Sequence, residues 1–368
     1  MKPWMVMLLV LSPLGNAAHA GCQWPLWEQF KQRFVDAGGR VIDSSDPRAI
    51  TTSEGQAYAM FFALAAGDQQ TFERLLRWLE ANLAQGDLQR HLPAWLWGRN
   101  PDGQWQVLDS NSAADADLWL AYSLQEAGRL WQHPDYSRLS ARQLALIEHH
   151  EVAQLPQLGP LLLAGTEGFT GQDRWTLNPS YSPLPLLHSF AHRYPDSIWA
   201  AMLEPTQRML EETSARGFAP DWVEWHDGQW QASRRSGWQG SYDAIRVYLW
   251  AGMQAPDPEE ADRVVQRFQP MLRYLRQHER PPLRVDSLTG TAEGYGPPGF
   301  SAALLPLLSR AAEPHLLQEQ LARLAAEPLQ EDAYYDHVLS LFGQGWSEGR
   351  YRFSPRGALQ PQSLEECL

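Results

Sequence analysis

Three segments of this chain are apolar on nearly every side, and each is headed by one or two acids. They read SEGQAYAMFFALAAG (Ser53–Gly67), ADADLWLAYSLQEAG (Ala114–Gly128) and SYDAIRVYLWAGM (Ser241–Met253). A helix that is hydrophobic all round is a buried helix. Each such run is followed by one that is hydrophobic on a single face. Gln70–Ala84 puts Phe72, Leu75, Leu76, Leu79 and Leu83 on one side and Glu73, Arg74, Arg77 and Glu80 away from it. That is the spacing of an amphipathic helix, and Gly86 is a stop signal near its end. The pairing recurs. Ala114–Ala127 precedes a more polar stretch from Tyr136 to Glu151, and Pro183–Tyr194 precedes an amphipathic Ile198–Thr213. Ser241–Met253 is followed by Pro258–Gln277, and Gly299–Leu308 by His315–Ala326. Asp332–Phe342 reads as a further inner helix, with Trp27–Val35 placed to close the ring beside it.

Buried helices alternating with half-buried ones pack as two concentric rings. The pattern predicts an all-α (α/α)6 barrel of six inner and six outer helices. An α-solenoid of stacked pairs is the alternative, but the segment lengths vary and no strict repeat period is present. Strand signals are sparse, and Gln104–Leu108 and Asp221–Gln231 suit small β-hairpins in connecting loops. The first 20 residues have the layout of a signal peptide: Lys2, an apolar Met5–Leu11, and Ala18-His19-Ala20 as cleavage site. The apolar stretch is too short to span a bilayer, so the reading is a periplasmic or secreted protein with no membrane anchor after cleavage. Residues 21–368 contain no long linker, low-complexity tract or charge run and read as a single domain.

Composition narrows the function. Hydrophobic residues are 44% and charged residues 20%, which suits a globular core. A formal net charge of −13 argues against nucleic acid, whose phosphates need a basic face, and against an anionic polysaccharide. The two cysteines, Cys22 and Cys367, lie at opposite ends of the mature chain. Export permits a disulfide between them; the alternative is two free thiols on loose tails.

The acids are the candidate chemistry. Glu54 follows Thr51-Thr52-Ser53, good N-cap residues, and falls in the first turn of its helix. The plain alternative is an acid that complements the helix dipole, worth ~0.3–1 kcal/mol. That dipole lowers a carboxyl pKa, whereas a general acid needs it raised. Desolvation and a nearby like charge each exceed the dipole effect, so the chemical reading requires a second carboxylate close to Glu54. Asp115 and Asp117 are candidates, with Asn111 and Ser112 available as caps. Two residues apart, they do not share a helix face. Asp243 opens the third segment with Arg246 one turn later. This is either a structural ion pair or an arginine that keeps a base ionised and aimed.

The chain has 17 tryptophans, and Trp95, Trp97, Trp105, Trp175, Trp222, Trp225, Trp230 and Trp238 lie in polar loops. Flat aromatic faces beside carboxylates suit sugar rings, although most tryptophans are packing residues. A P-loop is missing from the sequence. Glu148-His149-His150-Glu151 reads as a solvated helix face rather than a metal site.

At these residues the sequence resembles the family 8 glycoside hydrolases. Ala114-Asp115-Ala116-Asp117 followed by Leu118-Trp119-Leu120-Ala121 is similar to that family's signature, with Ala114 in place of Ser or Thr and Leu120 in place of Ile or Met. SEGQAYAM with Glu54 resembles the general-acid segment, and SYDAIR with Asp243 and Arg246 the general-base segment. Asp173-Arg174-Trp175 through Asn178-Pro179-Ser180-Tyr181 is similar to the segment that supplies a stacking Trp and a Tyr near the cleavage point. Trp95 of LPAWLWG fits a second stacking position, with Trp97 as the alternative. CQWPLWEQF, VIDSSD, LPAWLWG, LDSNSA and LFGQGW resemble the periplasmic members that accompany bacterial cellulose synthase.

The resemblance implies endo-hydrolysis of a β-1,4-glucan with inversion, no metal or organic cofactor, and association with the cellulose synthase machinery. It implies Glu54 as acid, Asp243 as base and Asp115 on the distorted sugar, with Tyr181, Arg246, Trp95 and Trp175 binding substrate. Inversion calls for acid and base ~6.5–9.5 Å apart. The competing readings are a non-catalytic glucan-binding or assembly factor, and a hydrolase of chitosan, xylan or mixed-linkage glucan.

Overall fold

The computed structural model describes residues 23–255, 263 and 266–362. The expected signal peptide, Cys22 and Cys367 lie outside the described residues.

Helix α1 (Pro25–Phe34) leads into a two-residue strand, β1 (Thr51–Thr52), and then α2 (Ser53–Ala65). The Thr52 hydroxyl caps α2 by accepting from Gly55 N. Every residue of α2 is buried except Glu54, as an all-round apolar helix requires. Asp68 caps α3 (Gln69–Leu83), whose Phe72, Leu75, Leu76, Leu79 and Leu83 are buried as one face. After a hairpin of β2 (Leu96–Arg99) and β3 (Trp105–Asp109) come α4 (Ala114–Leu130) and α5 (Pro134–Glu151). The next hairpin is β4 (Val152–Leu155) with β5 (Gly159–Leu162), followed by β6 (Thr170–Gly171), β7 (Arg174–Leu177) and a 3-10 turn at Pro179–Tyr181. Then follow α6 (Leu184–Arg193), α7 (Ile198–Ala201), α8 (Leu203–Thr213), β8 (Val223–His226), β9 (Gln229–Ala232), β10 (Gln239–Gly240) and α9 (Ile245–Met253). The chain ends with α10 (Gln269–His278), β11 (Pro282–Asp286), β12 (Ala292–Tyr295), α11 (Pro298–Arg310), α12 (Pro314–Ala326), α13 (Tyr334–Ser347), β13 (Tyr351–Phe353) and β14 (Leu359–Pro361).

The inner ring is α2, α4, α6, α9, α11 and α13, each packed on the next. Phe342 of α13 closes it against Tyr58, Phe61 and Phe62 of α2, with the Phe62 ring 4.6 Å away. Gly343 lets α13 approach α11, because a Cβ there would lie 1.7 Å from the Ala302 carbonyl oxygen. Outside this ring, α1 packs on α13, α3 on α2, α5 on α4, the α7–α8 pair on α6, and α12 on α11. Next to α10, Phe268 meets Tyr248 of α9 edge-on at 4.9 Å. The (α/α)6 arrangement is therefore the observed one.

The differences are local. Ile198–Thr213 is two helices, broken at Met202. The expected Asp332–Phe342 helix starts two residues later and runs on to Ser347. Of the Pro258–Gln277 stretch, the described Arg263, Gln266 and Arg267 are helical, and after a turn at Phe268 helix α10 runs from Gln269. Among the described residues, five small antiparallel sheets fill the connections, more than the sparse strand signals implied.

Candidate active site

Five inner helices bring residues from their N-terminal ends, or from just before them, to one mouth. Glu54 comes from α2, Asp115 from α4, Tyr181 from the 3-10 turn before α6, Asp243 from the turn before α9, and Tyr335 from α13. Asp243 was expected in the first turn of a helix. It stands instead in the Tyr242–Ala244 turn, two residues ahead of α9.

Arg246, buried on α9, ties the mouth together. Its Nη2 donates to Asp243 Oδ1 at 2.9 Å and to Ser180 Oγ at 3.0 Å, and Nη1 donates to Tyr58 Oη at 3.2 Å. Nη1 also stands 3.4 Å from Asp115 Oδ2, so the arginine serves both acids rather than Asp243 alone. Its guanidinium lies 5.5 Å from the Tyr181 ring centroid. Asp115 is fully buried, and its Oδ2 accepts from Tyr58 Oη at 2.9 Å. Burial raises Asp115 above the ordinary aspartate range, against the pull of Arg246 and the Tyr58 hydroxyl.

Glu54 is held differently. Burial pushes its carboxyl up to about 8, and the negative charges of Asp115 and then Asp243 add to the effect, while Arg246 opposes it. The dipole of α2 is outweighed by desolvation and like charge, as the sequence argument required. Gly55 does leave room beside Glu54, and the Tyr334 hydroxyl fills it: a Cβ on Gly55 would lie 2.5 Å from that oxygen.

The expected caps of α4 are otherwise employed. No side chain caps that helix. Ser112 Oγ bonds Glu151 and Thr166, and Asn111 Oδ1 accepts from Ser112 N and Glu167 N. Both side chains meet the chain returning from β5, which outcompetes the helix end. In the Glu148–Glu151 run, Glu148, His149 and His150 are exposed as expected, but Glu151 is fully buried.

The aromatic residues divide. Trp95 abuts the head of α2, because its carbonyl accepts from Ser53 N at 3.0 Å. Trp97 is occupied: Trp105 stacks on it at 5.0 Å and 9°, Trp78 meets it edge-on, and Arg40 lies 4.3 Å from its centroid. Trp175 sits on β7 opposite Trp225 of β8, packed on a separate small apolar cluster with Leu177 and Val223. Trp225, a loop tryptophan in the sequence, is buried there. Trp222 stacks parallel to Phe169 and leans on Tyr181 at 5.9 Å.

Two residues of the site have no sequence signal. Asp221 Oδ1 accepts from the backbone N–H groups of Ser241 (2.8 Å), Asp243 (3.1 Å) and Ala244 (2.8 Å), and so clamps the turn that carries Asp243. Burial, with the charge of Asp243, pushes Asp221 up to about 6. Tyr335 Oη donates to Tyr242 O at 2.8 Å and braces the same turn from α13. A buried arginine joining two acids, beside a third that keeps its proton, is an arrangement for proton transfer in both directions.

Comparison with known proteins gives a consistent picture. Residues 2–349 match the sequence profile of glycosyl hydrolases family 8. A protein from Salmonella typhi named "Endoglucanase" is 47% identical, with 100% of this chain aligned to 98% of its length. The structure of an endo-1,4-D-glucanase from Vibrio fischeri ES114 is similar with a TM-score of 0.85 at 44% identity, covering 92% of this chain and 99% of that one. The endo-beta-1,4-glucanase CMCax from Acetobacter xylinum has a TM-score of 0.72 at 28% identity, covering 87% and 95%.

Proposed function

The chain belongs to family 8 of the glycosyl hydrolases, and on that premise we propose that it cleaves β-1,4-glucan internally, with inversion, using Glu54 as general acid and Asp243 as general base. The observation that carries the assignment is the contrast between the two carboxyls. Glu54 is raised to about 8 by burial and the neighbouring acids and so holds a proton at neutral pH. Asp243 Oδ1 is fixed by Arg246, which leaves Oδ2 to accept a proton from water.

In this reading a sugar ring lies across the mouth. Glu54 protonates the departing glycosidic oxygen as the bond from C1 breaks. Asp243 takes a proton from the water that attacks C1 from the opposite face, which leaves the new hydroxyl inverted. The base then holds the water's proton and Glu54 is left ionised; both return to their starting states by exchange with solvent. Asp115, held by Tyr58 and Arg246, accepts hydrogen bonds from hydroxyls of the distorted ring. Tyr181 places the sugar or the water, and Trp95 and Trp175 stack neighbouring sugars.

The sequence pattern at the N-terminus supports export to the periplasm, and the likeness to synthase-associated members supports a role in cellulose biosynthesis. Among the described residues no helix is long and apolar enough to cross a membrane. The test is reducing-sugar release by one preparation from carboxymethylcellulose, chitosan, xylan and mixed-linkage glucan. Preference for carboxymethylcellulose over the other three is expected. No release from any polymer favours a glucan-binding factor, and faster release from another polymer reassigns the substrate.

A further inference from the structure

Beneath the acid cluster lies a second pair of carboxyl groups that no step above uses. Asp117, on the first turn of α4, and Glu151, the last residue of α5, are both fully buried. Glu151 Oε1 accepts from Ser112 Oγ. Among the described residues, neither Asp117 oxygen nor Glu151 Oε2 receives a bond from any N–H or O–H outside the pair. The two side chains instead face each other within hydrogen-bonding reach. Two carboxylates in such contact in dry surroundings do not both ionise. One proton between them makes an O–H···O bond and gives the stranded oxygens their partner. Because Ser112 donates to Glu151, Glu151 is the acceptor and Asp117 carries the proton.

The place of the pair gives it a role. Glu151 O accepts from Leu163 N at 2.7 Å, Ser112 Oγ accepts from Thr166 N at 3.1 Å, and Ala114 N donates to Ala164 O at 3.2 Å. The end of α5, the segment after β5 and the start of α4 therefore meet at Glu151, with Asp115 two residues from Asp117. We propose that Asp117 and Glu151 are positioning residues: one proton shared by their carboxyl groups fastens the first turn of α4 to the end of α5, and so sets where Asp115 stands beside Tyr58 and Arg246. The catalytic consequence rests on the role given to Asp115 above; the pairing itself does not.

The charges that act most on Asp117 are acids: Glu151 from α5, Asp115 on its own helix and Glu54 from α2. Burial and then Glu151 raise it well above the ordinary range. A folded pKa above the unfolded value means that the native state keeps a proton the unfolded chain releases. Stability from the pair is therefore full at low pH and is lost as the pH climbs from the aspartate range through the raised pKa.

The experiment uses melting temperature from about pH 5 to about pH 9, the range this linkage spans, in a Glu54→Gln background that removes the titration of Glu54. The parent E54Q protein loses melting temperature as pH rises. Adding Asp117→Asn, whose amide donates permanently to Glu151, flattens that loss. In the chain with Glu54 intact, Asp117→Ala lowers kcat by up to ~100-fold, the cost of a ~1 Å misplacement, with KM little changed. Asp117→Asn restores most of that kcat. An identical pH dependence of melting in E54Q and E54Q/D117N overturns the shared proton. Equal kcat for D117N and D117A overturns the positioning role. If D117A does not fold, the melting comparison still decides. A wild-type chain inactive on every glucan sinks the catalytic reading and leaves the melting result standing.

Discussion

Glu54 carries the electrostatic argument at the scale of single residues. It is the half-buried residue at the head of α2, and its carboxyl stands near 8 because desolvation of that group and the charge of Asp115 both oppose ionisation. A general acid works only while protonated, so the rate is retained below that value and lost as pH rises through about 8. Asp115→Asn removes one of the opposing negative charges. Glu54 then ionises at lower pH, and the alkaline limb of kcat/KM moves acidward, which a pH–rate profile measures. An unmoved limb would show that Asp115 does not act on Glu54. The same three acids were visible in the sequence because each heads a run that is apolar all round. Arg246 was visible by its spacing from Asp243, but its bond to Tyr58 and its proximity to Asp115 were not, since those contacts cross 188 and 131 positions of chain.

Elements decide where those residues stand. The turn before α9 holds Asp243 outside the helix, and Asp221 holds that turn by accepting three N–H groups. Asp221→Ala strands those donors and is expected to cost ~1–3 kcal/mol of stability and to lower kcat more than it changes KM. Asp221→Asn keeps the acceptor oxygen and recovers most of both. Thermal melting and steady-state kinetics check this, and equal loss in the two variants would remove Asp221 from the account. Nothing in the sequence marks Asp221, because its partners lie 20 to 23 residues on, across three strands. The inner helices were legible for the opposite reason. Twelve buried positions in thirteen leave α2 no exposed face, and burial on that scale shows in composition alone. Strands of two to five residues carry too few alternations for a period to register, so most of the small sheets were missed.

At the scale of the whole molecule, the two rings turn separate stretches of sequence into one mouth. Glu54, Asp115 and Asp243 are spread over 190 positions, yet the N-terminal ends of the inner helices gather them around Arg246. Those ends carry partial positive charge, which tempers the repulsion between acids crowded into one place. The gathering of the acids was foreseeable once the ring of buried helices was recognised. The packing of Trp175 with Trp225 on its own small cluster was not legible from spacing.

The central claim is a division of labour: Glu54 supplies a proton to the leaving oxygen, and Asp243 takes one from water. The most direct measurement compares kcat/KM on a cello-oligosaccharide and on dinitrophenyl β-cellobioside, whose leaving group departs without protonation. Glu54→Gln should lose ~10²–10⁴-fold on the oligosaccharide yet keep much of its rate on the aryl glycoside, whereas Asp243→Asn should lose both. Equal loss on the two substrates for Glu54→Gln, or an oligosaccharide rate near that of the wild type, would contradict the assignment.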